Sequence, residues 1–248
     1  MIFTIASREL RSLFLSPLAW AILAVTQFIL AWMFLSQIDA YLTLQPRLAA
    51  LEGAPGVADI IVAPLLSNAA IVLLLITPLI TMRSLSDEYQ SKTISLLFSA
   101  PVSMTEIVLG KYLGILGFFL VLIGMLALMP LSLLAGTELD LGKLAAGLLG
   151  LTLMLASFAA IGLYMSSLTE QPVVAAVTTF GLLLLLWIIN QASASGSDSV
   201  MGYLSMLTHY ESLLKGLFNS TDAIYYLLIV LLFLGFTVRR LDALRLQR

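Results

Sequence analysis

Along this chain, polar residues gather in short clusters between long apolar runs, and the runs have the length of a bilayer crossing. A helix needs about 20 apolar residues to cross roughly 30 Å of hydrocarbon, where it alone satisfies its own backbone hydrogen bonds. Six runs qualify: Pro17 to Ile38, Ile60 to Met82, Lys111 to Ala135, Lys143 to Ser166, Pro172 to Gln191, and Ala223 to Val238. The pattern predicts an all-α, polytopic membrane fold with six transmembrane helices, a single domain over residues 1–248.

Two shorter patterns flank these runs. In residues 1–16, Ile2, Phe3, Ile5, Leu10, Leu13 and Phe14 leave Ser7, Arg8, Glu9, Arg11 and Ser12 to fill the polar positions. This spacing predicts an amphipathic helix lying in the membrane interface, turned into the first span at Ser16-Pro17. A basic flank that only sets topology is the alternative. Between the second and third spans, Arg83, Asp87, Glu88, Gln90, Ser91 and Lys92 are polar, and Ile94, Leu97 and Phe98 follow at the spacing of one helix face. Pro101 ends that short helix. Ser103 and Glu106 then have the spacing of a capping box, with Val102 and Ile107 at the positions of a hydrophobic staple, so a new helix starts at Ser103. Residues 83–106 thus read as a structured connection with a rigid corner at Pro101, Val102 and Ser103. A lipid-surface helix without a partner is the competing reading.

Composition supports a membrane chain. Sixty per cent of the 248 residues are hydrophobic and 10% are charged, against about 25% charged in a soluble domain. No stretch between apolar runs exceeds roughly 30 residues, too few for a separate domain. The net charge of −2, with no basic stripe, argues against nucleic acid as a partner. With no cysteine, there is no disulfide framework and no thiolate metal site.

Charge placement predicts orientation, because Lys and Arg are retained on the cytoplasmic side. Arg8, Arg11, Arg83, Lys92, Lys111, Arg239, Arg240, Arg245 and Arg248 fall on the side of the termini, and Arg47, Lys143 and Lys215 on the other, nine of the 12 basic residues against three. Both termini are expected in the cytoplasm.

Candidate chemistry is sparse. The only histidine, His209, with Glu211 two residues on, falls short of the three or four ligands of a zinc site, so no metal is expected. With Lys215, these residues are read as part of an external segment. H-E-x-x-H, G-x-S-x-G and G-x-x-x-x-G-K-[ST] are absent from the chain, so protease, esterase and nucleotide-binding readings lack support and no catalytic residue is assigned. No ionisable residue falls in mid-span, which disfavours proton- or sodium-coupled transport. Gly110, Gly114 and Gly117 lie along the start of the third span at a spacing that lets helices approach closely.

Four stretches resemble one family. Arg8-Glu9-Leu10-Arg11-Ser12-Leu13-Phe14-Leu15-Ser16-Pro17-Leu18-Ala19 resembles the elbow helix and first span of type-2 ABC exporter permeases. Glu88, Lys92-Thr93-Ile94-Ser95-Leu96-Leu97, Pro101-Val102-Ser103 and Glu106 to Lys111 are similar to the coupling-helix signature of that family. Ser166 to Gln171 is similar to its short cytoplasmic turn, and His209-Tyr210-Glu211, Lys215-Gly216 and Asp222 to Tyr226 to the external segment of the gliding-motility-type, GldF-like branch related to the NosY-like permeases. Relatives commonly have glycine where Lys92 stands.

The resemblance implies an exporter permease of the bacterial inner membrane, without an ATP site of its own. ATP and Mg would be bound by a cytoplasmic ABC ATPase dimer. Arg8, Glu9, Glu88, Thr93, Ile94, Leu97, Phe98, Pro101, Val102 and Ser103 would form the ATPase-coupling surface. Further expected partners are a second copy of the chain or a related permease, the lipid bilayer, and an accessory envelope protein. The other functional reading is a mechanical or scaffolding subunit acting on envelope proteins without exporting anything.

Overall fold

The computed structural model describes residues 1–48, 56–93, 102–137, 139–193 and 205–246. Among them the secondary structure is entirely helical: α1 (Ile2–Leu15), α2 (Pro17–Leu48), α3 (Ala63–Thr81), α4 (Arg83–Gln90), α5 (Met104–Ser132), α6 (Leu141–Leu168), α7 (Pro172–Ser193), α8 (Met206–Leu214) and α9 (Ser220–Leu246). A π-helical turn, Ala58–Val62, leads into α3, and a 3-10 turn, Leu133–Ala135, ends α5.

Five stretches are long and apolar enough to cross a membrane: Pro17–Pro46, Ala58–Gln90, Met104–Ala135, Leu141–Leu168 and Ser220–Leu246. The sixth expected span, Pro172 to Gln191, falls in the 22-residue α7, Pro172–Ser193, whose part Pro172–Ile188 is apolar. The helices also outrun the apolar runs that announce them. α5 starts at Met104 rather than Lys111, because the Ser103 hydroxyl accepts from the Glu106 N–H while the Glu106 carboxylate accepts from the Ser103 N–H.

α6 is the central element. Every side chain from Met154 to Leu163 is buried, as expected of a helix that is apolar on all sides. Its glycines set the approach of its neighbours: a Cβ at Gly147 would lie 2.6 Å from Leu66 Cδ1 of α3, one at Gly150 would lie 3.0 Å from Leu213 Cβ of α8, and one at Gly162 would lie 2.7 Å from Thr81 Cβ of α3. By contrast, α2 and α9 turn large apolar side chains outward, among them Phe28, Trp32 and Leu231. Water tolerates such a surface poorly and hydrocarbon accepts it.

α1 lies along the first half of α5. Ile2, Ile5, Ala6, Glu9, Leu10, Leu13 and Phe14 are the half-buried positions, and Phe3, Ser7, Arg8, Arg11 and Ser12 are exposed. Glu9 therefore belongs to the inward face, not to the outward polar face on which the apolar spacing had put it. Phe14 packs on Phe118 with ring centroids 5.4 Å apart, and the Trp20 indole donates to the Phe14 carbonyl (2.8 Å) across the Ser16-Pro17 corner.

Close approach of α1 to α5 depends on two missing side chains. A Cβ at Gly110 would sit 2.6 Å from Ile5 Cβ, and one at Gly114 would sit 2.7 Å from Glu9 Cβ. Gly124, further along the same helix, has nothing within 4 Å of the corresponding position. One substitution is therefore expected to have opposite signs. Gly124→Ala should be neutral or stabilise by up to about 1 kcal/mol, whereas Gly110→Ala should destabilise by about 1–3 kcal/mol through overpacking. Thermal unfolding of the purified protein in detergent distinguishes them.

Candidate functional site

Three helices converge on the Lys111 ammonium. It donates to Glu88 Oε1 of α4 (2.8 Å), to the Ser84 carbonyl of α4 (2.7 Å) and to Glu9 Oε2 of α1 (3.4 Å), which uses all three of its protons. Lys111 is 4% exposed although it stands on a helix of almost unbroken apolar character. The flanking Gly110 and Gly114 make this possible, because they let α1 come close enough for Glu9 to reach the amine. The Glu88 Oε2 atom is buried with no hydrogen-bond partner among the described residues. Two carboxylates thus share one cation, with a net charge of −1.

α4 owes its position to a break at the end of α3. Pro78 has no N–H to donate, Thr77 and Thr81 turn their hydroxyls back onto the Leu73 and Thr77 carbonyls, and the chain turns at Met82. There Ser166, near the end of α6, inserts its hydroxyl: Oγ accepts from the Leu85 N–H (3.0 Å) and the Ser86 N–H (3.1 Å) and donates to the Met82 carbonyl (3.0 Å). Ser86 also donates to the Met82 carbonyl. The helix consequently resumes at Arg83, at the start of the connection expected to be structured. It ends at Gln90, and Lys92 follows with φ 57°. This is the left-handed conformation that glycine adopts without cost.

The other expected coupling residues are spread around this cluster. Arg8 is on the outer face of α1, exposed. Thr93 is exposed beside the α4 terminus, its hydroxyl 3.5 Å from the Glu88 carbonyl and 2.8 Å from Ser91 Oγ. Val102 is half-buried against the core, and Ser103 caps α5. Ile94, Leu97, Phe98 and Pro101 lie outside the described residues. Of the stripe Gly110, Gly114 and Gly117, all three face α1, at Ile5, Glu9 and Leu10.

At the other end of the bundle, α8 is held by α3 and α9. The Tyr210 hydroxyl donates to the Leu66 carbonyl (2.9 Å) of α3, and burial pushes this phenol well above its ordinary range, so it remains a donor. The Tyr226 hydroxyl of α9 donates to the Met206 carbonyl (2.7 Å). His209 Nδ1 is 2.6 Å from Asp222 Oδ1, Ser212 donates to the other oxygen of Asp222 (2.6 Å), and the imidazole stacks on Tyr225 at 4.2 Å. His209 is thus paired with Asp222, not with Glu211, which is exposed. α8 closes at Gly216 (φ 79°), with the Leu217 N–H on the Ser212 carbonyl and the Gly216 N–H on the Leu213 carbonyl, a Schellman motif. Glu211 and Lys215 border a cleft of about 500 Å³ with Ser67 and Asn68 of α3. Beside it, Lys143 bridges both oxygens of Asp59 at 2.8 and 2.9 Å.

Lys111 is the central group that the sequence pattern did not single out. Its position at the edge of an apolar run made it one more flanking cation. The available signal was a lysine set between two glycines of a close-packing stripe, where the approaching helix has to answer its charge.

Residues 3–242 match the family described as ABC-2 family transporter protein. No curated protein matches the chain.

Removing the cation alone leaves two carboxylates facing each other in a poorly hydrated place. Lys111→Met should cost about 3–5 kcal/mol. The triple change Lys111→Met, Glu9→Gln, Glu88→Gln should recover most of that loss, because no uncompensated charge remains. Denaturation of the two proteins side by side tests this, and equal stability would rule out the ion cluster as the cause.

Proposed function

The chain belongs to the ABC-2 family of transporter proteins, and from that premise we propose that it is the permease subunit of an ATP-driven exporter of the gliding-motility-type branch. The family's members are membrane transport components rather than catalysts, and with five helices of spanning length this is a multi-pass membrane protein. Such permeases normally work with an ATPase partner. In this reading a cytoplasmic ABC ATPase dimer binds ATP and Mg, two permease chains face each other, and both termini lie on the cytoplasmic side of the bacterial inner membrane. α7 serves as the sixth span, α1 as the elbow helix, and residues 83–106 as the segment the ATPase pushes.

The observation that carries the proposal is the Lys111 cluster. A force applied to α4 through the connection that follows it is transmitted by Glu88 and the Ser84 carbonyl to Lys111 of α5, and from there to Glu9 of α1. At the other end of α4, Ser166 transmits it to α6. A surface helix resting on lipid has no need of a buried carboxylate tied to a lysine of a span and, through it, to α1. The cluster therefore favours α4 as the place where motion of a soluble partner enters the membrane part.

Two experiments follow. In the complex reconstituted with its ATPase, Glu88→Gln should leave assembly intact and lower transport-coupled ATP turnover about tenfold, the factor of one charge-assisted hydrogen bond; Glu88→Lys should abolish coupling. Unchanged turnover in both would overturn the assignment. Because the chain has no cysteine, single cysteines report orientation without background. Ser91→Cys should react with membrane-impermeant maleimide only in inverted vesicles, and Glu211→Cys only in intact cells.

A further inference from the structure

A second feature of the α1 end adjoins the Lys111 cluster. Between α1, α2, the α3–α4 junction and α5 lies a cavity of about 190 Å³ with a divided lining. Glu9, Ser12, Ser16, Arg83, Ser84 and Asp87 make its polar side, Glu9 being shared with the Lys111 cluster. Ile22, Ile80, Ile115 and Phe118 make the apolar side. Leu18 and Leu79 also border it and are 40% and 42% exposed, which opens an apolar mouth towards the surface of the bundle.

Three observations on the polar side point to a ligand. Ser84 is 5% exposed, and its hydroxyl is buried with no hydrogen-bond partner among the described residues. A buried hydroxyl left in that state is costly, and native proteins rarely leave one without a bound molecule to meet it. Arg83, exposed at the rim, and the half-buried Asp87 stand one turn apart on α4, and among the described residues neither forms an ion pair. The cavity also lies where interfacial groups belong: it is roofed by amphipathic α1, and the exposed Trp20 beside it carries its indole N–H on the Phe14 carbonyl. Tryptophan at the end of a span marks the headgroup level.

We propose that this cavity binds the headgroup of a zwitterionic phospholipid carrying a primary amine. The phosphodiester is held by the Arg83 guanidinium and the Ser84 hydroxyl, and the ammonium by the Asp87 carboxylate. The volume suits a headgroup, and the acyl chains leave between Leu18 and Leu79 into the hydrocarbon. Charge selects the class. Arg83 contributes +1, Asp87 −1 and the neighbouring Glu9–Lys111–Glu88 cluster −1, so a headgroup that brings a cation is favoured over an anionic one. A primary ammonium donates to a carboxylate, and a quaternary one has no proton to donate. The bound lipid completes the wall between α1 and α4 beside the ion cluster.

The test is phospholipid retention by the purified chain, which involves no ATPase and so stands apart from the permease reading. Protein in mild detergent is exchanged into an equimolar mixture of phosphatidylethanolamine, phosphatidylglycerol and phosphatidylcholine, washed, and read by native mass spectrometry. The wild type should retain phosphatidylethanolamine in preference to the other two, and excess inorganic phosphate should not displace it. Arg83→Gln should lower retention about tenfold, the loss expected for one hydrogen bond to a charged group. Asp87→Asn should erase the preference over phosphatidylglycerol, and Ser84→Ala should weaken retention while circular dichroism stays unchanged. The proposal is overturned if the three lipids are retained equally, if none is, if inorganic phosphate competes, or if Arg83→Gln and Ser84→Ala retain as much as the wild type.

Discussion

One ammonium group decides how this protein's α1 end is assembled. Lys111 rises from an apolar helix into a place that water scarcely reaches, and a charge there is tolerated only when it is answered on the spot. The answers come from two other helices: Glu9 of α1 and, on α4, Glu88 and the Ser84 carbonyl. Because none of the three helices can leave without stranding a charge, they move together or not at all. Hydrophobic packing gives no such constraint between helices in lipid, where one apolar contact replaces another at little cost.

The break between α3 and α4 works in the same sense. Pro78 and the hydroxyls of Thr77 and Thr81 loosen the end of α3, and Ser166 of α6 supplies an acceptor to the N–H groups of Leu85 and Ser86 as the helix resumes. The junction is bent and yet satisfied, so it can turn as a joint while staying fastened to the central helix. Gly162 keeps that fastening short by letting Thr81 lie against the α6 backbone. A rigid tie at Lys111 and a jointed one at Met82 are the two ends of a single short helix.

Much of this was legible in the sequence wherever the signal is local. The capping box at Ser103 and Glu106 needs only residues three apart, and it forms. The amphipathic period of α1 was readable, except at Glu9. Polar residues are placed outward by rule, and Glu9 points inward because its partner comes from a distant part of the chain. His209 shows the same limit: Glu211 is its neighbour in sequence, but one helical turn and a Schellman reversal bring Asp222 to it instead. Five apolar stretches have spanning length, and the sixth expected span falls within the 22-residue α7, Pro172–Ser193. Long-range pairing of charges leaves no periodic trace, and that is where the reading of patterns ended.

The partnership of Glu9 with Lys111 spans 102 positions, and chains are made from the N-terminus. α1 therefore leaves the ribosome well before its seat exists. In the interval its Ile2, Ile5, Leu10 and Phe14 face has only lipid to rest on, and Glu9 only headgroup water. When α5 enters the bilayer, the glycine stripe and the amine arrive together, and α1 exchanges one resting place for the other. α1 is thus seated only once α5 is in place, and any change that fixes α1 too firmly to the lipid surface would delay that step.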